Sequence, residues 1–474
     1  MIEKQAKELR LHFCKYGQEH VFKFWEILSA EEQAQLLQQA KNLDLDYLSK
    51  IIDGVLHSGS RQKNLGNLVP AKFIKLPNSE LDWQKWREAV AIGEQKIRAG
   101  KVAAFTVAGG EGTRFGYSAP KGTVQVTPLK KKSMFQVFAE KIKAAERRYE
   151  TPIHWIIMTS ERTHNETIEF FGKNASFGIE NIHFVKQGQF LSITNDGKII
   201  METRSKMSMH PDGHGGSLKA FGKSGLLTML ENLDVEMISY FQVDNPLVRC
   251  IDPYLIGLHA KNQSQVSSRM VRKMYPEEKV GVFCEIRGKS RVIEYSDLPK
   301  EQAMLRDAEG NLVFCAGNTA IHILDVQFIK HFNGKDINSE IPYHIAKKVI
   351  PTINALGDPV LPQSPNGLKL EMFTFDILPY AERTLIVESN RLANFSPVKN
   401  LEGMDSLKTC LQDQLKLFAS WLLSAGVDIP TDSNGLPPFD IEISPMFADN
   451  EHDFLQKWKS LENKPAIAAG QYIE

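Results

Sequence analysis

The chain has 474 residues, of which 42% are apolar and 24% are charged, a composition typical of a soluble globular protein with two or three domains. Lys plus Arg and Asp plus Glu each number 57, so the formal net charge is zero and gives no reason to expect binding to nucleic acid or an anionic membrane. The five scattered cysteines indicate neither a disulfide framework nor a zinc site, and predict buried free thiols. The charged amino terminus lacks the apolar region of a signal peptide and no apolar run is long enough to span a membrane, so we expect a cytoplasmic protein.

The first 99 residues have the pattern of helices. Apolar residues recur at helical spacing through residues 9–48. Ser29 followed by Glu32 three residues later is a capping-box signal for the start of a helix. A further helix is predicted over residues 83–99. We therefore predict an N-terminal helical domain over residues 1–99.

From residue 102 onward, short apolar strands alternate with helical stretches. Strands are predicted at 102–107, 153–158, 182–185 and 238–243, with a hairpin turn at 195–197. This alternation predicts an α/β fold, with a doubly wound, mostly parallel sheet and helices on both faces. Ligands of such sheets bind beyond the carboxyl ends of the strands.

Two later regions depart from this alternation. Residues 266–325 are richer in strands, with a predicted pair on either side of a turn at 287–290. Residues 401–474 mix a long amphipathic helix with turn-rich sequence, which predicts a small C-terminal α+β domain. Residues 100–400 are then the predicted central domain.

A glycine-rich loop follows the first predicted strand. Residues 108–121 read Ala-Gly-Gly-Glu-Gly-Thr-Arg-Phe-Gly-Tyr-Ser-Ala-Pro-Lys. Because glycine has no Cβ, its backbone N–H groups can approach a phosphate closely, and Arg114 and Lys121 add two cations. The loop is not a Walker motif, since the lysine precedes its neighbouring glycine, and not a dinucleotide fingerprint, since its last two glycines are one residue too far apart.

This loop resembles that of the nucleotidyltransferases that make nucleotide sugars, whose signature is Gly-Gly-x-Gly-Thr-x-x-Gly, a short spacer and Pro-Lys. More narrowly, the chain resembles the eukaryotic-type UDP-sugar pyrophosphorylases, especially those for UDP-N-acetylglucosamine. The other matching motifs occur in order at 157–160, 187–188, 211–216, 243–245, 292–296, 316–318, 373–376 and 395–400. The resemblance implies that the central domain has a Rossmann-like nucleotidyltransferase core.

The implied reaction joins UTP to a sugar-1-phosphate, most readily N-acetylglucosamine-1-phosphate. A phosphate oxygen of the sugar phosphate attacks the α-phosphorus of UTP, pyrophosphate leaves and a UDP-sugar forms. Because the nucleophile is already an anion, the protein must align two polyanions and neutralise charge, and needs no nucleophilic side chain. The expected partners are these four compounds, with no nucleic acid and no membrane, and the expected assembly is a monomer or weak homo-oligomer.

The resemblance implies a role for individual residues. The implied catalytic cations are Arg114, Lys121 and Lys399, and Asp244 is the implied ligand of Mg²⁺ or Mn²⁺, which prefer oxygen ligands and substrate phosphates. The implied nucleotide-binding residues are Ala108, Gly109, Gly110, Gly112, Thr113, Gln187, Gly188, Gly213 and His214, with the amide of Gln187 reading uracil as both donor and acceptor. His214 departs from the family, which often has Asn there, and unlike Asn it can titrate.

Four residues are implied at the sugar, namely Gly281, Glu294, Asn318 and Phe375. Glu294 can accept hydrogen bonds from two hydroxyls, Asn318 can bind a hydroxyl or the acetamido group, and Phe375 can pack on the acetamido methyl. Alternation along the strand predicts that Ile293 and Tyr295 share one face and Glu294 points the other way, into the ligand cleft.

Three other functions are compatible with parts of this pattern. The same chemistry could use glucose- or galactose-1-phosphate. A glycosyltransferase that consumes a UDP-sugar typically needs an Asp-x-Asp pair, whereas Val243-Asp-Asn has one carboxylate. A catalytically silent UDP-sugar-binding protein is disfavoured by Arg114, Lys121 and Asp244, because binding the product requires no contact with pyrophosphate.

Overall fold

The computed structural model describes residues 2–57, 67–333 and 341–474. Residues 58–66, which belong to the predicted N-terminal helical domain, lie outside the described residues. The helices are α1 Ile2–Lys15, α2 Ala30–Lys41, α3 Leu45–His57, α4 Glu80–Arg98, α5 Met134–Tyr149, α6 His164–Lys173, α7 Gly216–Lys223, α8 Leu226–Asn232, α9 Pro253–Lys261, α10 Lys300–Met304, α11 Val326–Asn333, α12 Arg391–Asn394, α13 Leu407–Ser424 and α14 Glu451–Ser460. The strands are β1 Leu68–Pro70, β2 Val102–Val107, β3 Trp155–Thr159, β4 Ile182–Lys186, β5 Gln189–Leu191, β6 Ile193–Thr194, β7 Met209–Pro211, β8 Met237–Gln242, β9 Val266–Arg272, β10 Val282–Ile286, β11 Lys289–Ile293, β12 Ala316–Asp325, β13 His344–Lys348, β14 Thr352–Ile353, β15 Pro359–Val360, β16 Gly367–Glu371, β17 Thr384–Glu388, β18 Ile441–Ile443 and β19 Gln471–Ile473.

These elements form two compact units, each assembled from segments that are far apart in sequence. The described residues of the first unit fall within 2–57, 188–216 and 341–374. Those of the second unit fall within 67–187, 217–333 and 375–474.

The second unit is built on a mixed sheet, to which ten strands of the described chain belong. Its parallel part runs in the order β8-β2-β3-β4. β12 lies antiparallel to β8 and also pairs with β9 and β10, while β17 runs parallel to β9. Both faces of β2 and β3 are buried, which is why these strands read as continuous apolar runs. Val107 pairs with Met158 and with Gln242, so the carboxyl ends of β2, β3 and β8 meet at one edge.

The backbones of helices α4 and α9 are in direct van der Waals contact. A Cβ atom on Gly93 would lie 1.8 Å from the carbonyl oxygen of Pro253, and one on Gly257 would lie 1.7 Å from that of Ala89. Real carbon and oxygen atoms cannot approach so closely, so both positions require glycine. These two glycines therefore set the separation of the helices.

The chain end of the second unit forms a separate apolar cluster. Helices α13 and α14 pack with β18 and β19 around the buried side chains of Phe418, Trp421 and Phe454. β18 and β19 run parallel to each other. This part of the chain is therefore a mixture of helix and strand, as the sequence predicts.

The first unit combines three helices with short strands. Helices α1, α2 and α3 bury Phe13, Trp25 and Leu36 against Leu191 of β5 and Met207, which precedes β7. Ser29 accepts a hydrogen bond from the backbone of Glu32 while Glu32 binds the Ser29 backbone, which confirms the predicted capping box. β16 lies between β13 and β6 in a small antiparallel sheet.

The predicted α/β fold with a mostly parallel central stretch is confirmed, and so are the strands predicted around 102–107, 153–158, 182–185 and 238–243. The turn predicted at 287–290 is tighter than expected, because Arg287 and Gly288 alone connect β10 and β11, both with positive φ.

Two predictions are wrong. Tyr295 does not share the buried face of Ile293, because β11 ends at Ile293, and the Tyr295 side chain is exposed. Cys14 is exposed, whereas the other four thiols are buried as expected. Among the residues that the structure describes, no helix is both long and apolar enough to cross a bilayer.

Candidate active site

The glycine-rich loop leaves the carboxyl end of β2 and folds back on itself. The Lys121 backbone N–H donates to the carbonyl of Gly110 (3.0 Å), and that of Gly112 donates to the carbonyl of Ala119 (3.1 Å). A short 3₁₀ turn at Thr113–Phe115 ends at Gly116, whose φ of +73° favours glycine. Nothing lies within 4 Å of the place where a Cβ of Gly110 would be. The loop is therefore held by its own backbone and leaves open space beside Gly110.

Gln187 lies against this loop. A Cβ atom on Gly109 would lie 2.0 Å from Oε1 of Gln187 and 3.2 Å from the backbone nitrogen of Ser160. The Gln187 backbone N–H donates to the carbonyl of Thr159, at the end of β3 (2.8 Å). Glycine at position 109 is therefore what allows the amide of Gln187 to occupy this position.

Three charged side chains predicted from separate segments lie together at the carboxyl edge of the sheet. Asp244 follows β8, and Nζ of Lys121 lies 3.5 Å from its Oδ2. The side chains of Lys121 and Asp244 are each 14% exposed. Lys399 is close enough that its charge acts on both. The structure thus brings together two predicted catalytic lysines and the predicted metal ligand.

Burial and charge act in opposite directions on these groups. Burial lowers the pKa of Lys121, and the positive charges of Lys399 and Arg114 lower it further, although Asp244 opposes the shift. Burial alone would raise the pKa of Asp244, but Lys121 and Lys399 outweigh it and the net pKa is lowered. The cluster contains more positive than negative charge, which suits it to bind a further anion.

Arg114 differs from the two lysines in being exposed at the tip of the loop. Within the described ranges, no carboxylate lies at ion-pair distance from its guanidinium. A guanidinium in this state can form two parallel hydrogen bonds to phosphate oxygens.

Asp244 contributes one carboxylate at the carboxyl end of β8. Over the described part of the chain, no three His, Cys, Asp or Glu side chains form a group that could hold a metal. Mg²⁺ is commonly held by one or two carboxylates, substrate phosphates and water. The single carboxylate of Asp244 is compatible with this arrangement.

Gly281, Glu294 and Asn318 meet where β10, β11 and β12 adjoin. The Asn318 backbone N–H donates to the carbonyl of Gly281 (2.8 Å). A Cβ atom on Gly281 would lie 3.2 Å from Oε1 of Glu294. Oδ1 of Asn318 accepts from the backbone of Ala320 (2.9 Å) within a β-bulge, which fixes the orientation of this amide. Three of the four predicted sugar residues are therefore neighbours.

Phe375, the fourth of these residues, lies in a 3₁₀ segment, Thr374–Tyr380, and its side chain is buried. Burial is compatible with packing on a methyl group, but it is equally typical of a core aromatic residue.

The remaining predicted nucleotide residues lie in a tight loop of the first unit. A Cβ on Gly188 would lie 2.2 Å from Oδ2 of Asp212, and one on Gly216 would lie 1.9 Å from its Oδ1. Gly213 has a φ of +84°, and a Cβ there would lie 2.4 Å from the carbonyl oxygen of Met372. Glycines on both sides therefore let the buried carboxylate of Asp212 sit inside the loop.

His214 is fixed by the segment that follows β16. Its ring stacks on Phe373 with 5.1 Å between ring centroids and 9° between planes. The Thr374 backbone N–H donates to Nδ1 of His214 (3.1 Å), so Nδ1 is unprotonated and the neutral ring carries its proton on Nε2. The Nε2–H group of His214 is a hydrogen-bond donor, as is the amide of the Asn that the resembled family often has there.

Sequence reasoning missed several polar residues that support these groups. Asn245, Lys141 and Thr374 bind backbone groups beside Asp244 or His214. Asn245 adjoins a predicted residue, which was the only available signal, while Lys141 has the sequence context of an ordinary surface lysine.

Comparison with known proteins is consistent along most of the chain. The family model described as UTP–glucose-1-phosphate uridylyltransferase matches residues 59–418. The chain is similar to UDP-N-acetylglucosamine diphosphorylase 2 of Arabidopsis thaliana, with 36% identity over 91% of this chain and 87% of that protein. It is also similar to UDP-N-acetylglucosamine pyrophosphorylase of Saccharomyces cerevisiae, with 33% identity over 87% of this chain and 90% of that protein.

A solved structure with a similar fold carries the same description as these relatives. The crystal structure of uridine diphosphate N-acetylglucosamine pyrophosphorylase from Trypanosoma brucei in complex with inhibitor aligns with a TM-score of 0.83 at 25% identity. The alignment covers 99% of this chain and 98% of that one.

Proposed function

Because the chain belongs to the UTP–glucose-1-phosphate uridylyltransferase family and is a nucleotidyltransferase, we propose that it transfers the uridylyl group of UTP to N-acetylglucosamine-1-phosphate. The products are UDP-N-acetylglucosamine and pyrophosphate. The observation that carries this proposal is the cluster of Lys121, Asp244 and Lys399 beside the glycine-rich loop. A cluster of this kind can hold two phosphate groups against each other at the place where parallel sheets bind ligands.

In the proposed mechanism, a phosphate oxygen of the sugar phosphate forms a bond to the α-phosphorus of UTP as the bond from that phosphorus to the α,β-bridging oxygen breaks, and this oxygen leaves with pyrophosphate. Lys121 and Lys399 reduce repulsion between the two anions, and loop N–H groups near Gly110 bind phosphate oxygens. Arg114 neutralises the charge that develops on pyrophosphate. A substrate phosphate would compete with Asp244 for the ammonium group of Lys121. The distance of 3.5 Å between Lys121 Nζ and Asp244 Oδ2 is long for a charge-assisted hydrogen bond, so this competition costs little.

Asp244 is the proposed ligand of Mg²⁺ or Mn²⁺. When bound, the ion would screen the triphosphate and orient it for in-line attack. The support for this assignment is the position of the carboxylate after β8 and its lowered pKa, which keeps it ionised at neutral pH.

Gln187 is the proposed reader of uracil, because its amide lies against the glycine-rich loop and has both a donor and an acceptor. The loop of Gly213 and His214 is proposed to contact the nucleoside through backbone groups and Nε2–H. For the sugar, we propose that Glu294 accepts from two hydroxyls. The Asn318 amide, whose Oδ1 accepts from the Ala320 backbone N–H, is proposed to bind a hydroxyl or the acetamido group of the sugar.

The test measures pyrophosphate release from UTP with N-acetylglucosamine-, glucose- and galactose-1-phosphate in the presence of Mg²⁺. We expect the highest kcat/KM with the N-acetylated substrate and near-complete loss in Lys121→Ala. Arg147→Ala, which removes an exposed cation at the far end of α5, is the control and should behave as wild type. A higher kcat/KM with glucose- or galactose-1-phosphate would reassign the sugar. Binding of UDP-sugar without pyrophosphate release from any substrate would refute the enzymatic proposal in favour of a silent binding protein.

A further inference from the structure

Asn245, the residue after the proposed metal ligand, links two segments that are about 150 residues apart in sequence. Its Nδ2 donates to the carbonyl of Asn394 (2.7 Å), and its Oδ1 accepts from the backbone N–H of Ser396 (3.1 Å). The Asn245 residue is only 3% exposed. Both halves of a buried amide are therefore used on the backbone of the segment that leads to Lys399.

A backbone hydrogen bond also joins the same two segments. The Val398 N–H donates to the carbonyl of Asp244 (2.8 Å). Three hydrogen bonds, two of which belong to the Asn245 side chain, therefore join residues 244 and 245 directly to the segment that leads to Lys399, while the Lys399 backbone N–H donates to the carbonyl of Asp405 (2.6 Å).

The two linked segments are not equally anchored from other directions. The segment after Asn245 is held by Lys141 on α5, whose buried Nζ donates to the carbonyls of Pro246 (2.6 Å) and Val248 (2.7 Å). The partner segment is held through Ser396, whose hydroxyl donates to Asp413 on α13 (2.7 Å). Because β8 and α5 both contribute buried residues to one apolar core, we take the Asp244 side as the reference against which Lys399 is positioned.

We propose that Asn245 is a positioning residue that holds Lys399 at its working distance from Asp244 and Lys121. This inference rests on the proposed uridylyl transfer, in which Lys399 acts on the phosphates. Asn245 itself contacts neither phosphate. Its effect on the reaction passes through Lys399.

The test is a double-mutant cycle of Asn245→Ala and Lys399→Ala, measured by pyrophosphate release in the forward reaction. We expect Asn245→Ala to lower kcat by about 10- to 100-fold, with a much smaller change in the KM for UTP, because the uracil contacts are elsewhere. In the Lys399→Ala background the same change should lower kcat by less than about 3-fold, since interacting residues are not additive. A purely structural role would instead give equal losses of activity in both backgrounds.

Gln265→Ala is the matched control. Oε1 of Gln265 accepts from the backbone N–H groups of Glu382 (2.6 Å) and Arg383 (3.4 Å), which precede β17. This side chain also links distant segments of the second unit, but at the amino-terminal end of β9 and β17, the opposite edge from Asp244. We expect it to lower stability without changing kcat.

The outcomes separate the two proposals. An active wild type in which the losses of Asn245→Ala and Lys399→Ala multiply would overturn the positioning role and leave the proposed function intact. A wild type that releases no pyrophosphate from any sugar phosphate would overturn both. If Asn245→Ala does not fold, Asn245→Ser, which keeps one polar group but cannot reach both backbone partners, enters the same cycle with the same criteria.

Discussion

The contact between Gly109 and Gln187 leads to a prediction about recognition of the base. In Gly109→Ala, the new Cβ would lie 2.0 Å from Oε1 of Gln187. An ordinary contact needs about 3.5 Å, so the amide must move by roughly 1.5 Å. The atom that moves is the end of a flexible side chain, so we expect a stability loss below about 1 kcal/mol.

The loss in activity should be larger than the loss in stability. A neutral hydrogen bond contributes about 0.5–1.5 kcal/mol, so losing both bonds from Gln187 to uracil should cost about 1–3 kcal/mol. This corresponds to roughly a 5- to 150-fold lower kcat/KM for UTP. Because cytosine presents a different donor and acceptor pattern, the preference for UTP over CTP should fall as well.

The assay is steady-state pyrophosphate release with UTP and with CTP, for Gly109→Ala, Gln187→Ala and the double variant. If the loss passes through the amide, Gly109→Ala should have little further effect once Gln187 is alanine. An equal loss in both backgrounds would refute the reasoning, because it would mean that the added methyl group obstructs the nucleotide directly. Unchanged UTP kinetics in Gln187→Ala would show that this amide does not read the base.

Four further predictions follow from the other groups. Arg114→Ala should lower kcat about 100-fold without changing the Kd for UDP-sugar in calorimetry, since the product lacks pyrophosphate; weakened UDP-sugar binding would place the guanidinium elsewhere. Chelation with EDTA should abolish pyrophosphate release, and Asp244→Asn should raise the Mg²⁺ concentration that restores it; full activity after chelation would contradict the metal role. Glu294→Ala should lower kcat/KM for the sugar phosphate by a factor that corresponds to about 2–3 kcal/mol of transition-state stabilisation, and should change the KM for UTP far less. Equal effects on both substrates would indicate a role in folding. Burial lowers the pKa of His210 from 6.5 to about 4, so the unfolded state binds the proton first as the pH falls. The free energy of unfolding should therefore fall by about 3 kcal/mol between pH 6.5 and pH 4. In urea titrations of His210→Gln this contribution to the fall should be absent.

The sequence by itself determined the local elements. The apolar run of β2 and the capping box at Ser29 were both recognisable, because strand periodicity and helix caps involve residues within a few positions of each other. The glycine-rich loop was recognisable for the same reason. Its spacing of glycines and cations is complete within residues 108–121.

The end of β11 was not determined locally. The apolar and polar alternation continues past Ile293 to Tyr295, but the hydrogen-bonded partner does not, since Ile293 pairs with Val282 at the first residue of β10. A strand ends where its partner ends, and the partner is chosen by the tertiary fold. Alternation beyond that point therefore predicted the wrong face for Tyr295.

Only the tertiary structure decided how the charged groups meet. Lys121, Asp244 and Lys399 are separated by more than 100 residues at each step, and no local pattern fixes the distance between them. The parallel register of β2 and β8 brings Lys121 and Asp244 to one edge of the sheet, and hydrogen bonds to residues 244 and 245 join the segment of Lys399 to it. Register and buried hydrogen bonds depend on which segments pack together, so they are properties of the whole fold and have no signature in any one stretch of sequence.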